Sequence, residues 1–431
     1  MSSLPKTVRI VEVGPRDGLQ NESAIVPTPK KAEFIKLLGT AGLQDIEVAS
    51  FVHPNRVPQL ADADELVRQL ELVPNVRYSA LVPNMKGLER AIQSGIRRIA
   101  VFTAASETFN KKNINMGIQE SIDVFKPVVD RALKEGLSVR GYVSTCFVCP
   151  YEGPVTKEKV ADVAGVLFQL GVDEVSIGDT IGAATPRDVE TTCGYLLQQF
   201  SEHKLAMHFH DTYGMAIANV YQALQMGFTI FDSSAGGLGG CPYAPGASGN
   251  LATEDLVYLL DRLGIESGVS LDLVRRASYF IARELGRDLP SCLEDGLMSY
   301  VCRSRFRVRY AETDQMGMVY YANYFVWMEV GRSDFCRECG FSYRDLEREK
   351  QAYLSVAEAN CRYLAPARYD DEILVETTLS RLKSRIIEFS YQIKSGDTVL
   401  AEGRTVHVVI GADGRPRSLP QPYRELLKSK T

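Results

Sequence analysis

Lys204-Leu205-Ala206-Met207-His208-Phe209-His210-Asp211-Thr212-Tyr213-Gly214 is a short, mostly apolar run that ends in a polar turn, and an amphipathic stretch, Ala216–Met226, follows it. Lys204–His210 reads as a buried strand and the stretch after it as a helix closed by Gly227, so the segment predicts one strand followed by one helix. The same unit recurs. Strand-type runs at Val8–Val13, Asp45–Ala49, Arg77–Val82, Arg98–Thr103, Ser138–Ser144, Glu174–Gly178 and Thr229–Ser233 alternate with helical patterns such as Lys30–Ala41, Ile118–Lys134, Lys157–Gln169 and Arg187–Phe200. Such alternation implies a parallel sheet, and eight units in succession imply an α/β protein with a closed (β/α)8 TIM barrel. A doubly wound open sheet is the alternative, but no dinucleotide glycine fingerprint follows the first strand.

Because side chains alternate along a strand, His208 and His210 project to one face and aim two imidazoles at one point. A metal ion suits that point, although two histidines satisfied by backbone carbonyls would spell the same pattern. The rest of the chain favours the metal. Only five histidines are present, and active-site residues of a barrel belong at the C-terminal ends of its strands. Arg16 and Asp17 follow strand one, Glu47 lies on strand two, and Asp179 follows strand six. Strand eight runs through Asp232, Ser233 and Ser234 into a glycine-rich segment that carries Cys241 and Asn250. That segment lacks the Gly-Lys-Ser/Thr ending of a phosphate loop, so its glycines read as a mobile turn holding one thiol and one amide over the barrel mouth.

Composition narrows the partners. With 431 residues, 45% apolar and 24% charged, the chain is ordinary globular protein with room for two or three domains. A net charge of −5 argues against a general nucleic-acid or membrane-surface role, and no run approaches the ~18 apolar residues of a membrane span. Small molecules are the expected partners. Residues 1–7 lack the apolar core of a secretory signal and the pattern of a transit peptide, which makes the cytoplasm the expected compartment. Nine scattered cysteines, among them Cys146-x-x-Cys149 and Cys336-x-x-Cys339 without a second ligand pair, read as structural thiols.

Val11-Glu12-Val13-Gly14-Pro15-Arg16-Asp17-Gly18-Leu19-Gln20-Asn21-Glu22, Gly178-Asp179-Thr180-Ile181-Gly182, the His-x-His strand and residues 237–253 together resemble the hydroxymethylglutaryl-CoA lyases, and the likeness runs from about residue 5 to about residue 295. The resemblance implies metal-dependent cleavage of a 3-hydroxyacyl-CoA, as in leucine degradation. It makes Asp17, His208, His210 and Asn250 the metal shell, Arg16 and Gln20 substrate groups, Cys241 the loop acid, and Glu47 and Asp179 supporting carboxylates. Two imidazoles, a carboxylate and an amide oxygen favour Mg²⁺ or Mn²⁺ over zinc. The family usually has a basic residue where Ser23 stands, and its Ser-Ser-Val-Ala-Gly run reads Ser233-Ser234-Ala235-Gly236-Gly237, so substrate recognition is where this chain departs. A condensing alkylmalate-synthase relative is the alternative within enzymes; the Gly-Gly-Cys241-Pro loop argues against it.

Pro290 and Gly296 break the helical pattern and from Arg305 the periodicity changes, dividing the chain into expected domains of residues 1–298 and 299–431. A strand through Phe306, Val308 and Tyr310, a helix over Ala322–Cys339, and alternating strands at Leu354–Tyr363, Glu372–Leu382, Ile387–Lys394 and Val399–Ile410 predict an α+β domain. Arg309-Tyr310-Ala311-Glu312-Thr313-Asp314-Gln315-Met316-Gly317-Met318-Val319-Tyr320-Tyr321-Ala322-Asn323-Tyr324 resembles the hot-dog acyl-CoA thioesterases of the 4-hydroxybenzoyl-CoA type. That likeness makes Asp314 the catalytic carboxylate, gives the Tyr321 backbone N–H to the thioester carbonyl, and implies a homodimer or tetramer acting on acyl-CoA. A binding module with a dead thioester site is the alternative from outside enzymes.

Overall fold

The computed structural model describes residues 4–240, 249–287, 289–291, 300–396 and 398–428. The chain divides into two compact units, residues 1–295 and 296–431. In the first, eight parallel strands close on themselves: β1 (Arg9–Glu12), β2 (Asp45–Ser50), β3 (Arg77–Leu81), β4 (Arg98–Ala104), β5 (Ser138–Ser144), β6 (Glu174–Asp179), β7 (Leu205–Phe209) and β8 (Ile230–Ser233). Each strand pairs with its neighbours in sequence and β8 returns to β1, as a right-handed chain of βα units must when it closes. The expected barrel is therefore the observed one. His210 differs from expectation: β7 stops at Phe209, and His210 forms an isolated bridge with Asn250 that turns the chain toward the segment after β8.

Helices lie between the strands, and their ends follow local chemistry. Asn84 accepts the Gly87 N–H at 3.0 Å to start Met85–Ser94, and Gly95, at φ 95°, ends it in the left-handed conformation. The outer core buries Phe34, Phe51, Phe125, Phe209, Phe228 and Phe231 almost completely. The barrel interior is different. Arg140 and Tyr142 of β5, Glu174 and Ser176 of β6, Glu47 of β2 and Asp232 of β8 are all buried there. Arg140 Nη2 donates to Asp232 Oδ1 at 2.6 Å, its Nη1 donates to the Tyr142 hydroxyl at 2.9 Å, and its Nε makes an ion pair with Glu174 at 2.7 Å. Buried charge is tolerated only when it is paired.

In the second unit, β9 (Cys302–Arg307), β10 (Ala352–Tyr363), β11 (Glu372–Leu382), β12 (Ile386–Ser395) and β13 (Thr398–Gly411) form an antiparallel sheet in the order β9-β11-β12-β13-β10. The helix Asn323–Glu338 packs on it through Trp327, Met328 and Phe335, which gives the hot-dog arrangement. At Gly331 a Cβ would fall 2.2 Å from Thr377 Oγ1, so the helix reaches the sheet only because that side chain is missing. The first strand starts and ends earlier than the sequence suggests. Glu312 accepts the Arg309 N–H at 2.7 Å and folds Tyr310–Glu312 into a 3-10 turn, which leaves Tyr310 exposed. No helix among the described residues is long and apolar enough to cross a membrane.

Candidate active site and metal centre

After β1 the chain winds into a single π-helical turn, Gly14–Gly18, in which the N–H groups of Arg16, Asp17 and Gly18 all point to the Val13 carbonyl. The turn lies hard against the segment after β8: a Cβ on Gly18 would sit 2.8 Å from that of Leu238. Glu12, fully buried, ties the two together by accepting from Gly14 N at 2.8 Å, Ala235 N at 2.9 Å and Thr253 Oγ1 at 2.7 Å. Burial pushes its carboxyl up to about 7. Glu254 performs a similar service for Gly236 N, accepting at 2.8 Å.

This packing delivers Asp17 to His208 and His210. One potential ligand atom from each of the three lies within 4.8 Å of the others, and the two imidazole Nε2 atoms are 3.2 Å apart. Burial, and then His208, lowers the His210 imidazole to about 4, so the ring is neutral at ordinary pH, as a ligand must be. Burial alone would raise Asp17, but Arg16, His208, His210 and Asn250 outweigh it and bring the carboxyl down to about 2. Asn250 donates its amide hydrogen to Asp17 at 3.0 Å and to the Leu238 carbonyl at 3.1 Å, while its amide oxygen is buried without a hydrogen-bond partner. An orphaned amide oxygen beside a carboxylate and two imidazoles is a donor set that fits a hard divalent cation.

Arg16 stands next to this cluster. Its Nη1 donates to Asp17 at 2.5 Å, its Nε is paired with Glu47, and its charge lies 5.4 Å above the Tyr142 ring. Glu47 also accepts from the Tyr142 hydroxyl, so this carboxylate orients the arginine from behind. Asp179 serves the backbone instead, since its two oxygens accept the Ala183 and Ala184 N–H groups, each at 3.1 Å, and fix the turn after β6. Burial raises its carboxyl to about 6. Gln20 is half-buried at the end of the turn that carries Arg16 and Asp17. Cys241 lies outside the described residues. Tyr142 and Arg140 are not among the residues expected here, and Asp232 is expected only as part of strand eight; the signal that points to all three is a charged or polar residue inside a run that otherwise reads as a buried parallel strand.

In the second unit, Asp314 opens a tight turn and its Oδ1 accepts the Met316 N–H at 2.8 Å and the Met318 N–H at 3.3 Å. Tyr321 lies just before the helix Asn323–Glu338, and its carbonyl accepts from the Tyr363 hydroxyl at 3.1 Å. Arg381, Lys383 and Arg385 flank the β11–β12 hairpin turn, closed by Lys383 N donating to Ile386 O at 2.8 Å.

A family model described as HMGL-like matches residues 7–281. The chain belongs to the HMGL-like family. Among its relatives, the mitochondrial hydroxymethylglutaryl-CoA lyase of Rattus norvegicus is 51% identical over 291 residues, which is 68% of this chain and 90% of that one. The crystal structure of the Bacillus subtilis HMG-CoA lyase superposes on the HMGL-like unit with a TM-score of 0.66 at 50% identity, covering 67% of this chain and 97% of that one. A structure of an HMG-CoA lyase from Acinetobacter baumannii in complex with coenzyme A and 3-methylmalate gives 0.65 at 37% identity over 68% of this chain and 96% of that one. Residues 316–408 match a second model, the thioesterase superfamily, so one polypeptide joins an HMGL-like barrel to a thioesterase-type hot-dog.

Proposed function

We propose that the HMGL-like domain, residues 1–298, cleaves 3-hydroxy-3-methylglutaryl-CoA or a related 3-hydroxy-3-alkylglutaryl-CoA to acetyl-CoA and a 3-oxo acid such as acetoacetate, and that residues 299–431 hydrolyse an acyl-CoA thioester. The meeting of Asp17, His208 and His210 beside a guanidinium pinned on two sides carries the first half. Relatives named as hydroxymethylglutaryl-CoA lyases, one of them bound to coenzyme A, support the substrate class. The reading puts the reaction in leucine degradation and the protein in the cytoplasm.

Asp17, His208 and His210, with the Asn250 amide oxygen, would hold Mg²⁺ or Mn²⁺. A divalent ion there supplies Lewis acidity that lowers the pKa of the substrate hydroxyl. Arg16 enters the reaction already oriented, because Glu47 and Asp17 fix its Nε and Nη1, and it offers donors to the charge that develops on the thioester oxygen. Gln20, on the same segment, binds substrate. Asp179 keeps the turn after β6 in place beside His208. Cys241 gives its proton to the departing carbanion. Replacing Cys241 by alanine is expected to lower lyase turnover by about 10²-fold or more, as loss of a positioned acid does, with metal binding unchanged. A Cys241→Ala enzyme within about threefold of the parent in steady-state kcat would demote the thiol to a bystander.

For the second domain, Asp314 is the catalytic carboxylate and the Tyr321 N–H the group that polarises the thioester. Aromatic or branched acyl-CoAs of medium length are the expected substrates, since hydrolysing acetyl-CoA would discard the lyase's own product. The pairing of β10 on one side only, among the described residues, leaves a long edge open to a second copy and supports a homodimer or tetramer. One observation favours a second reading, an acyl-CoA-binding module without hydrolysis: Asp314 Oδ1 is engaged by the N–H groups of its own turn. Asp314→Asn separates the two. Loss of thioester hydrolysis across an acyl-CoA panel, with the lyase rate intact, is the expected result; a mutant that hydrolyses its best substrate at the parental rate excludes Asp314 as the catalytic group.

A further inference from the structure

Asp232 lies opposite His208 in the β7–β8 register and is 1% exposed. Its Oδ2 is 3.1 Å from His208 Nδ1 and accepts from Ser176 Oγ at 2.8 Å, while its Oδ1 accepts from Arg140 Nη2 at 2.6 Å. We propose that Asp232 is a positioning residue for the cation site: it holds His208 as the tautomer with hydrogen on Nδ1, so that the Nε2 lone pair faces Asp17 and His210, and Arg140 holds Asp232 in turn. The proposal rests on the metal-centre reading above.

An ionised carboxylate only accepts, so the imidazole nitrogen against it must donate. In a neutral ring the other nitrogen is then bare and available to a cation. Arg140 blocks the carboxylate from turning, because its guanidinium has no acceptor and demands an oxygen at Oδ1. His210 fits the same assignment. With His208 Nε2 bare, the 3.2 Å contact between the two rings places the shared hydrogen on His210 Nε2, and His210 Nδ1 is the buried ring nitrogen that lacks a partner. For His210 Nε2 to serve as a ligand as well, that hydrogen would move to Nδ1 of the same ring.

Asp232→Asn is the informative change because it keeps the volume and alters the roles. Arg140 requires the amide oxygen at the Oδ1 position, so the amide N–H must face His208 Nδ1 and drive the hydrogen to Nε2, into the metal site. Nitrogen-15 spectra of histidine-labelled, metal-free protein report the tautomers, and with five histidines the assignment is tractable through His208→Gln. The parent is expected to carry the His208 hydrogen on Nδ1 and the Asp232→Asn protein on Nε2. Mn²⁺ binding, followed by the electron paramagnetic resonance of free Mn²⁺, is expected to weaken by ~10–100-fold in the variant, the range for lost outer-shell partners. Ser176→Ala removes a hydrogen bond to the same oxygen without changing the roles, and its Mn²⁺ affinity should stay within about threefold of the parent. A parent protein with the hydrogen on His208 Nε2 overturns the proposal with no variant needed, as does an Asp232→Asn protein with parental tautomer and Mn²⁺ affinity. A parent that shows the Nδ1 tautomer but binds no Mn²⁺ overturns the metal-centre reading instead.

Discussion

Stripping divalent cations, or replacing His208 by alanine, is expected to reduce carbon–carbon cleavage by on the order of 10³-fold or more while thioester hydrolysis continues. The size follows from the several kcal/mol that a Lewis acid contributes at a developing charge, with about 1.4 kcal/mol for each tenfold in rate. Mg²⁺ or Mn²⁺ should restore the stripped parent. The same additions should fail to restore His208→Ala, because the remaining groups at the site, Asp17 and His210 with the Asn250 amide, lose the imidazole that Asp232 orients. Acetyl-CoA formation and thiol release, read in parallel by mass spectrometry on one panel of CoA esters, give both activities from a single incubation. A metal-free sample that cleaves at full rate would remove the cation from the mechanism.

Arg140→Met is expected to be the most damaging single change to stability. The guanidinium is 2% exposed and serves Asp232, Glu174 and Tyr142 together. Methionine fills much of its volume but leaves buried Asp232 without a guanidinium and Glu174 with only Arg9 and Arg98, and breaking one side of a buried ion pair costs about 3–5 kcal/mol. Against a typical folding stability of roughly 5–15 kcal/mol this is a large share. Calorimetry should show the barrel transition fall by about 10 °C, given a few degrees per kcal/mol for domains of this size. Arg140→Lys keeps the charge but cannot reach three partners from one nitrogen, so partial recovery is expected. A transition temperature unchanged in Arg140→Met would mean that water or relaxation supplies what the guanidinium does now.

The eight strands are legible because they are short strand-type runs that alternate with helical patterns, several of them closed by glycine; Ser138–Ser144 agrees to the residue. Several helices are not. Ala63–Gln69 and Glu107–Ile114 are too short to show a helical period, and Met85–Ser94 carries Gly87 in its first turn. At the site, Arg16, Asp17 and His208 can be found from their places at strand ends. Asp232 is visible on its strand, yet its role is hidden, because its partner Arg140 is 92 residues away and meets it only after the barrel closes. The same holds for Asp17 and Asn250, 233 residues apart, whose association comes from family resemblance and not from spacing. Side-chain roles that depend on closure cannot be read from a local pattern.

The polar interior has a consequence for how the barrel assembles. Divide it into the half built from β1–β4 and the half built from β5–β8, and some of the charge partners cross from one half to the other. Arg9 and Arg98 belong to the first half and meet Glu174 of the second; Glu47 of the first meets Tyr142 of the second; Glu12 of the first accepts from Ala235 and Thr253, beyond the end of the second. Neither half contains a closed set, so a half-barrel would have to keep ionised side chains wet in what should become its core. The seam along which a (β/α)8 protein might be split into two independently folding pieces is stitched shut here by arginine and glutamate, which makes the barrel one cooperative unit of folding and not a pair of smaller ones joined side by side.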